Sequence, residues 1–497
     1  MSRKLDLTAG EKSDACIVPA NASNEGGGRE PAPEERREGR RAAKSNAGQS
    51  PAPRTQSRTG ASMGLNGVRE AALRNKRARF TALMHHITPE LLTDSFRRLK
   101  RSAAPGVDGV LWHDYEEALS DKIAALWDAV QSGRYRALPS RRVYIPKANG
   151  DQRPLGVAAL EDKIVQQATA TMLNAIYEAD FLGFSYGFRP GRDQHQALDA
   201  VWLGIRGRKV NWVLDADIRS FFDTIDHDWM IRFLEHRIAD RRLLRLIRKW
   251  LTAGVVENGT RTVSRKGTPQ GAVISPLLAN VYLHYVFDLW AHQWRRRETG
   301  GDVIVIRYAD DSIVGFERYQ DALAFLDRLR LRLAKFGLAL NEEKTRVLEF
   351  GRYAADRRAR RGLRRPETFD FLGFTHICGR TRTGSRFIVQ RLTSAKRMRT
   401  TLKALRESLM RRRHAPIPAV GAWLRRVVQG YLNYHAVPGN LKRLGMFRAE
   451  VCRAWLHALR RRSQRTRMTW ERFRPLVARY LPKVHALHPL PSQRFAS

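Results

Sequence analysis

The chain has 497 residues, 43% of them apolar, which is enough for two or three domains with ordinary hydrophobic cores. Lys and Arg number 90 against 49 Asp and Glu, a formal charge of +41 that favours a polyanion, first of all nucleic acid, as partner. No apolar run reaches about 18 residues, so we expect no membrane span. The three cysteines, Cys16, Cys378 and Cys452, lie too far apart for a disulfide framework, and we expect no zinc.

The N-terminal segment, residues 1–62, is rich in Gly, Ser, Ala, Pro, Glu and Arg and nearly lacks large apolar side chains. This composition predicts a disordered tail, without the features of a secretory signal or a transit peptide. From Leu65 to about Leu99 the apolar spacing predicts helices. Thr88-Pro89-Glu90 marks the start of one of them.

Between Val143 and Phe374 short β-type runs alternate with helical stretches, which indicates an α/β or α+β core. Asn149-Gly150 is a strong signal for a two-residue hairpin, and Lys147 and Arg153 lie on either side of it. Farther along, the apolar run from Trp212 to Ile218 predicts a strand.

Two adjacent carboxylates, Asp310 and Asp311, lie between the apolar runs 303–306 and 313–316. This pattern predicts the tip of a β-hairpin. Two carboxylates held side by side repel each other, and a fold usually tolerates them when a cation shares them; Mg²⁺ is the best-fitting ion.

A third carboxylate, Asp217, comes at the end of the predicted strand that starts at Trp212. If it meets Asp310 in the fold, the site can hold two Mg²⁺ ions about 3.5–4 Å apart, the arrangement used for nucleotidyl transfer. Four other residues compete for this position: Asp215, Asp223, Asp226 and Asp228. Asp215 shares a strand face with Asp217, so periodicity alone does not separate the two.

Beyond Thr375 the chain becomes strongly basic, with 28 Lys and Arg against three Asp and Glu, a net charge of +25. The pattern is helical, and aromatic side chains are interleaved with the arginines. Such a mixture favours phosphate contact and base stacking on RNA. The candidate RNA-binding residues are Arg425, Arg426, Tyr431, Arg460, Arg461 and Arg462.

Asp217, followed five residues later by Phe222, together with the Tyr308-Ala309-Asp310-Asp311 segment, resembles the two acidic motifs of reverse transcriptase palms. Further segments are similar to conserved blocks of group II intron reverse transcriptases and occur in that family's order. They are Ala104–Gly109, Ile145–Lys147, Arg153–Gly156, Asp162–Lys163, Ser185–Arg192, Lys266–Gly271, Ser275–Asn280, Leu340–Thr345 and Phe371–Phe374. The basic helical part after them looks like the family's thumb or maturase domain.

The resemblance implies that Asp217, Asp310 and Asp311 are the catalytic metal ligands, with two Mg²⁺ ions as cofactor. Lys344 resembles the lysine proposed to protonate the leaving pyrophosphate. The implied nucleotide-binding residues are Lys147 and Arg153 over the triphosphate, Gln270 behind the incoming nucleotide, and Phe222 against the sugar 2′ position, which would favour deoxynucleotides. Arg189 and Arg192 are the candidates for contact with the template backbone.

The fold implied by the resemblance is α+β: a right-hand polymerase with fingers and an antiparallel palm sheet, followed by an α-helical thumb/maturase domain. We expect helices on one face of the palm sheet. The expected division is a disordered tail at 1–62, reverse transcriptase fingers and palm at 63–375, a helical thumb/maturase domain at 376–440 and a basic nucleic-acid-binding region at 441–497.

The resulting hypothesis is an RNA-directed DNA polymerase of a group II intron that also binds its intron RNA as a maturase. Its expected partners are intron RNA, an RNA template with a DNA or RNA primer, dNTPs and target DNA, in a bacterial-type cytoplasm near the nucleoid. The paired cysteines of an HNH endonuclease are absent from the sequence, so we expect no second-strand cleavage. The alternatives are a splicing factor without polymerase activity and a retron or CRISPR-associated reverse transcriptase.

Overall fold

A computed structural model describes residues 58–146, 152–263, 265–381, 384, 386–463 and 468–494. Most of the predicted tail at 1–62 lies outside these residues. The first helix, α1, is Arg58–Arg74, so the boundary expected at residue 63 falls inside a helix. Lys147, Asn149 and Gly150 also lie outside the described residues.

Helices dominate the part of the chain before residue 361. After α1 they are α2 Pro89–Arg98, α3 Trp112–Glu116, α4 Leu119–Gln131, α5 Leu160–Tyr177, α6 Gln194–Gly207, α7 Phe221–Thr224, α8 His227–Glu235, α9 Arg241–Thr252, α10 Ser275–Leu283, α11 Leu289–Arg297, α12 Tyr319–Lys335 and α13 Ala354–Arg360. A π-helical turn, His284–Asp288, joins α10 to α11, and the short 3-10 helix Met84–His86 precedes α2. Helix α2 begins where the sequence predicts, because the Thr88 hydroxyl accepts a hydrogen bond from the Leu91 amide.

Eleven strands occur in the described residues, and they form three sheets. The strands are β1 Ser140–Pro146, β2 Gln152–Val157, β3 Trp212–Asp217, β4 Val255–Glu257, β5 Thr260–Thr262, β6 Val303–Tyr308, β7 Asp311–Phe316, β8 Arg346–Glu349, β9 Phe369–Phe371, β10 Phe374–Arg380 and β11 Phe387–Thr393. Together with the helices they confirm the α+β class.

The first sheet has the order β2-β1-β4-β5. Strands β1 and β2 pair antiparallel, with Pro146 opposite Gln152, as a hairpin requires; the predicted two-residue turn at Asn149-Gly150 lies outside the described residues. Strand β4 joins β1 in parallel and β5 in antiparallel pairing.

The central sheet has the order β6-β7-β3-β8, and every neighbouring pair is antiparallel, as predicted. Val305 and Val314 lie in a core shared with α10, α11 and α12, whereas Ile304 and Ile313 lie in a second core shared with α6. Both faces of the sheet are therefore covered. The expectation of helices on one face is wrong, and the physical reason is that β6 is apolar at consecutive positions, as in strands buried on two sides.

The third sheet and the last helices form the C-terminal part. The sheet has the order β11-β10-β9, and the helices are α14 Ala395–Arg411, α15 Ile417–His435, α16 Leu441–Arg460, α17 Trp470–Tyr480 and α18 Pro491–Arg494. Helices α14 to α17 share one core, which includes Leu405, Leu424, Phe447, Trp455 and Phe473, and we call this unit the helical cluster.

Two of the expected domain boundaries need correction. The segment expected to be helical from residue 376 begins with the β10–β11 hairpin, because alternating apolar residues in this stretch pair as strands. The division at residue 440 separates α15 from α16, yet both pack into the core of the helical cluster. Helices α16 and α17 are therefore part of that cluster, whereas Arg494 of α18 binds Asp199 of α6.

Cys378 and Cys452 are free thiols in this structure, and Cys16 lies outside the described residues. Within the described ranges no helix combines the length and the apolar character needed to cross a bilayer.

Candidate active site

The turn that carries the paired carboxylates consists of Ala309 and Asp310, since Tyr308 pairs with Asp311 across β6 and β7. Ala309 has a φ of +55°, in the left-handed region that tight hairpin turns require. Burial raises the pKa of Asp310. Burial and the neighbouring Asp310, Asp217 and Asp215 carboxylates raise the pKa of Asp311 to about 7. The predicted hairpin is confirmed, and its tip carries concentrated negative charge.

Asp217 ends β3 and pairs directly with Asp311 of β7. Asp215 lies one pleat away, opposite Ile313 on one side and Arg346 on the other. The register therefore separates two residues that periodicity could not, and Asp217 is the one level with the carboxylate turn. Lys344 Nζ lies 2.9 Å from Asp217 Oδ2, and this hydrogen bond raises the pKa of Lys344.

The other competing carboxylates have local contacts. Asp226 caps α8 by accepting hydrogen bonds from the amides of Asp228 and Trp229, both at 3.0 Å. Asp228 is exposed, with its carboxylate 3.8 Å from an Arg248 guanidinium nitrogen. Asp223 lies 3.4 Å from Gln270 Nε2.

Within the described ranges no three His, Cys, Asp or Glu side chains converge closely enough to hold a metal ion. The carboxylates repel each other, and the Lys344 ammonium group is paired with Asp217. The donor chemistry nevertheless fits Mg²⁺, because carboxylate oxygens are its preferred protein ligands. Burial first, and neighbouring carboxylates second, raise the pKa values of Asp310 and Asp311, and a bound divalent cation would offset both effects.

The loop that contains Gln270 packs between α7 and β2. The Thr268 amide donates to the carbonyl of Phe222 at 2.8 Å, and the Gly156 amide donates to the carbonyl of Gln270 at 2.6 Å. Phe222 itself is half-buried. The loop therefore ties Phe222 and Gln270, two predicted nucleotide contacts, into one unit.

Arg153 lies on β2, opposite Ile145 of β1. Its positive charge acts to lower the pKa of Asp310, so the structure brings this predicted cation towards the carboxylates. Its predicted partner Lys147 lies outside the described residues.

Two residues that sequence reasoning missed support the carboxylate turn from behind. A Cβ atom at Gly187 would come within 3.0 Å of the Tyr308 carbonyl carbon and closer still to the Ala309 amide nitrogen. Arg307 is buried and donates to the Ala309 carbonyl at 2.8 Å. In the sequence, Gly187 lies in a segment that resembles the family, and Arg307 lies beside the predicted turn. Neither position by itself indicates that the residue packs against the turn.

Sequence comparison identifies the region that contains this site. Residues 145–376 match the family described as Reverse transcriptase (RNA-dependent DNA polymerase). Protein YkfC of Escherichia coli (strain K12) is 41% identical over 225 residues, which cover 43% of this chain and 58% of that protein. Group II intron-encoded protein LtrA of Lactococcus lactis subsp. cremoris is 32% identical over 292 residues, which cover 56% of this chain and 48% of that protein.

Residues 145–376 are thus similar to reverse transcriptases, and the relatives include a group II intron-encoded protein. A further relative, Nuclear intron maturase 1, mitochondrial, of Arabidopsis thaliana, is 28% identical over 111 residues, which cover 22% of this chain and 15% of that protein. The chain thus spans about half the length of the curated relatives named first.

Within the matched region, residues 145–376, the two predicted template contacts differ in exposure. Arg189 is buried, bonded to the Glu178 carboxylate at 3.0 Å and to the Leu182 and Ser185 carbonyls. Its guanidinium group is therefore unavailable to a template here, and its expected role is corrected to a structural one. Arg192 is half-buried, donates to the Gly183 carbonyl and lies over the Tyr186 ring.

Beyond the matched region, the other predicted RNA contacts lie on the helical cluster. Arg425 and Arg426 are exposed on α15, and Arg460 and Arg461 are exposed at the end of α16. Arg462 is half-buried and donates to the His414 carbonyl at 3.4 Å.

Tyr431 is 8% exposed and stacks on Phe447 with ring centroids 3.7 Å apart. Its ring is therefore part of the core of the helical cluster and cannot stack on a base. The expected RNA contact is wrong, because an aromatic residue at a core spacing of α15 is buried by α16.

Proposed function

We propose that this protein copies RNA into DNA, with Asp217, Asp310 and Asp311 as ligands of two Mg²⁺ ions. The observation that carries the proposal is the direct pairing of Asp217 with Asp311, beside Asp310, in a reverse transcriptase domain. Residues distant in sequence thus meet where two neighbouring strands of the antiparallel central sheet, β3 and β7, end and begin.

When bound, the Mg²⁺ pair would activate the primer 3′-hydroxyl and neutralise charge on the leaving pyrophosphate. The protein's own contribution is preorganisation, because the carboxylates are held on strand ends and need little reorganisation during the reaction. Lys344 Nζ, like an ordinary lysine, is protonated at neutral pH, and its hydrogen bond to Asp217 raises its pKa further. From this position it would give a proton to the leaving pyrophosphate.

The nucleotide would lie between the carboxylates and the β1–β2 hairpin. Arg153, and Lys147 on the other side of the hairpin turn, would bind its triphosphate as cations. Gln270 would support the base and sugar from behind, and Phe222 would exclude a 2′-hydroxyl by its volume. The shared hydrogen-bonded loop supports this grouping, because it couples the positions of Phe222 and Gln270.

In this proposal the first sheet and α1–α5 are the fingers, the central sheet is the palm, and the helical cluster is the thumb or maturase domain. The order of these units along the chain and the matched region, residues 145–376, support the assignment.

Primer extension on an RNA template by the purified protein tests the polymerase proposal. Replacing one carboxylate of a two-metal site, as in Asp310→Asn, should reduce the rate by roughly three decades or more. Asp228→Asn is the matched control, because Asp228 is an exposed carboxylate with one distant ion pair. If Asp310→Asn extended primers at the wild-type rate, the assignment of Asp310 as a catalytic metal ligand would be rejected.

We propose as a second function that the protein binds its intron RNA and assists splicing. The +25 charge beyond Thr375, the exposed Arg425 and Arg426, and relatives that include a group II intron-encoded protein and a nuclear intron maturase support it. Target DNA is a further proposed partner of the residues after His435, and the proposed location is the bacterial cytoplasm, near the nucleoid.

Splicing of the cognate intron with the Asp310→Asn protein separates the two functions. RNA binding does not need the carboxylates, so splicing should persist while primer extension is lost. A proportional loss of splicing would contradict independence of the two functions. Splicing without primer extension in the wild type would favour the alternative of a splicing factor, whereas absence of an intron in the flanking DNA would favour a retron or CRISPR-associated enzyme.

A further inference from the structure

A buried ion pair lies directly behind the carboxylate turn. Arg307 and Asp288 are 1% and 0% exposed, and they form two parallel hydrogen bonds of 2.6 Å, from Nε to Oδ1 and from Nη2 to Oδ2. Burying two charges costs solvation, so such a pair adds little or no net stability compared with apolar residues of the same volume. Stability alone therefore does not explain the buried ion pair of Arg307 and Asp288.

The remaining donors of Arg307 bind three further groups. Nη1 donates to the Ala309 carbonyl at 2.8 Å and to Asn280 Oδ1 at 3.0 Å, and Nη2 donates to Ser185 Oγ at 2.7 Å. The Arg307 backbone is also held, because its amide donates to Phe184 and its carbonyl accepts from Tyr186, both at 2.9 Å. One side chain thus connects the turn to two other parts of the domain.

The contact with Ala309 matters because this residue has a φ of +55°. A non-glycine residue in the left-handed region is strained and persists where the surroundings impose it. Ala309 directly precedes Asp310, so the orientation of its peptide groups sets the direction in which the two carboxylates point. A hydrogen bond to the Ala309 carbonyl stabilises this strained conformation.

The position of Asp288 depends on the π-helical turn, His284–Asp288. Successive side chains of an α-helix are rotated by about 100° about the helix axis. The extra residue of a π turn therefore changes the direction of the side chains that follow it. The turn ends at Asp288 and presents its carboxylate to Arg307. Asn280, four residues before His284 on α10, also donates to the Gly187 carbonyl at 2.7 Å, which ties the segment before Arg189 to the same network.

We propose that Arg307, held by Asp288, is a positioning residue that maintains the carboxylate turn in its left-handed conformation and so aims Asp310 and Asp311. This inference rests on the proposed polymerase function, but it concerns residues that touch neither metal nor substrate. Because a 1 Å displacement of catalytic groups costs on the order of 100-fold in rate, loss of this network should affect catalysis far more than substrate binding.

The structure provides a matched control on the opposite face of the central sheet. Arg391 and Asp199 form an ion pair with side chains 3% and 2% exposed, and Asp199 also binds Arg494 at 2.6 Å. This pair contacts α6 and β11 and does not touch the turn. Arg391→Lys therefore removes a comparable buried guanidinium without changing the surroundings of Ala309.

The test compares full-length wild type, Arg307→Lys, Asp288→Asn and Arg391→Lys. Thermal melting measures the general structural cost, which should be similar for both lysine variants. Hydrogen exchange of peptides from residues 303–316, without divalent ions, measures the turn. Exchange there should accelerate roughly tenfold in Arg307→Lys and Asp288→Asn and remain unchanged in Arg391→Lys.

Primer extension with varied primer-template and Mg²⁺ gives the second readout. Arg307→Lys should lose on the order of 100-fold in kcat, need more Mg²⁺ for half-maximal rate, and keep its KM for primer-template within about threefold. Unchanged exchange at the turn, or a kcat within about threefold of Arg391→Lys, would overturn the positioning role. An inactive wild type would instead reject the polymerase proposal, and the exchange comparison would still decide whether Arg307 holds the turn.

Discussion

Gly187 offers the sharpest test of how closely the carboxylate turn is packed. Its backbone lies against Tyr308 and Ala309, so the Cβ of alanine at this position would come within 3.0 Å of the Tyr308 carbonyl carbon and 3.1 Å of Ala309 Cα. Carbon atoms in ordinary contact are about 3.5–4.0 Å apart, and the Ala309 amide nitrogen would be nearer still to the new Cβ, so the two backbones must separate by about 1 Å. Both are backbone segments, and neither can rotate away as a side chain can.

Gly187→Ala should therefore displace the turn that carries Asp310 and Asp311. A displacement of about 1 Å corresponds to a loss of on the order of 100-fold in kcat, or about 2.7 kcal/mol of transition-state stabilisation. The added methyl group should also lower the free energy of unfolding by about 1–3 kcal/mol, as overpacking does. Single-turnover primer extension and thermal melting measure the two effects separately.

Gly204→Ala is the matched control for this prediction. Its Cβ would come within 2.7 Å of Ile304 Cδ1, so it creates a comparable clash on the same sheet but against the end of a flexible side chain away from the turn. We expect lower stability with kcat within about threefold of wild type. The reasoning is refuted if Gly187→Ala melts like the control and also polymerises at the wild-type rate.

Three further predictions address the nucleotide site, the helical cluster and pH. Phe222→Ala should raise ribonucleotide incorporation relative to deoxynucleotide incorporation by roughly tenfold or more, measured by competition in primer extension; an unchanged ratio would exclude a steric role. Tyr431→Ala should lower the free energy of unfolding by about 3–5 kcal/mol without weakening RNA binding by the folded protein. Arg425→Ala should leave the melting temperature unchanged. It should reduce by about 1 the slope of the logarithm of the RNA-binding constant against the logarithm of the salt concentration. The Asp162 carboxyl is 2% exposed, and burial raises its pKa to about 6, so this group alone should lower wild-type stability by about 3 kcal/mol from pH 4 to 6 and contribute no further change above that range. Urea denaturation of Asp162→Asn across this range should lack that contribution, and identical pH profiles would contradict it.

The carboxylate hairpin and the start of α2 could be predicted because both depend on neighbouring residues. A two-residue turn between apolar runs, and a threonine followed by proline, each act within one turn of the chain. The same kind of local pattern indicated an α/β or α+β core, and the family resemblance implied α+β. The charge of the C-terminal part likewise indicated a polyanionic partner without any knowledge of the fold.

Burial was harder to predict for polar and aromatic residues. Arg189 and Tyr431 lie in motifs that favour nucleic-acid contact, yet one is bonded to Glu178 and the other stacks on Phe447. The partners that cover these side chains come from other elements, 11 residues away in the first case. Composition reports which groups can bind RNA, but it does not report which of them remain exposed.

Residue order along the chain was enough to nominate Asp310, Asp311 and a third carboxylate between 215 and 228, because these patterns are local and their chemistry depends on residue type. Periodicity left Asp215 and Asp217 open, and the family resemblance favoured Asp217. The physical reason came from the pairing of β3 with β7, since both residues share one strand face and differ in which partner they meet. The support of the turn by Gly187, Asp288 and Arg307 likewise arises where distant segments pack together. Such contacts depend on which distant segments pack together in the fold, and local residue patterns do not indicate this.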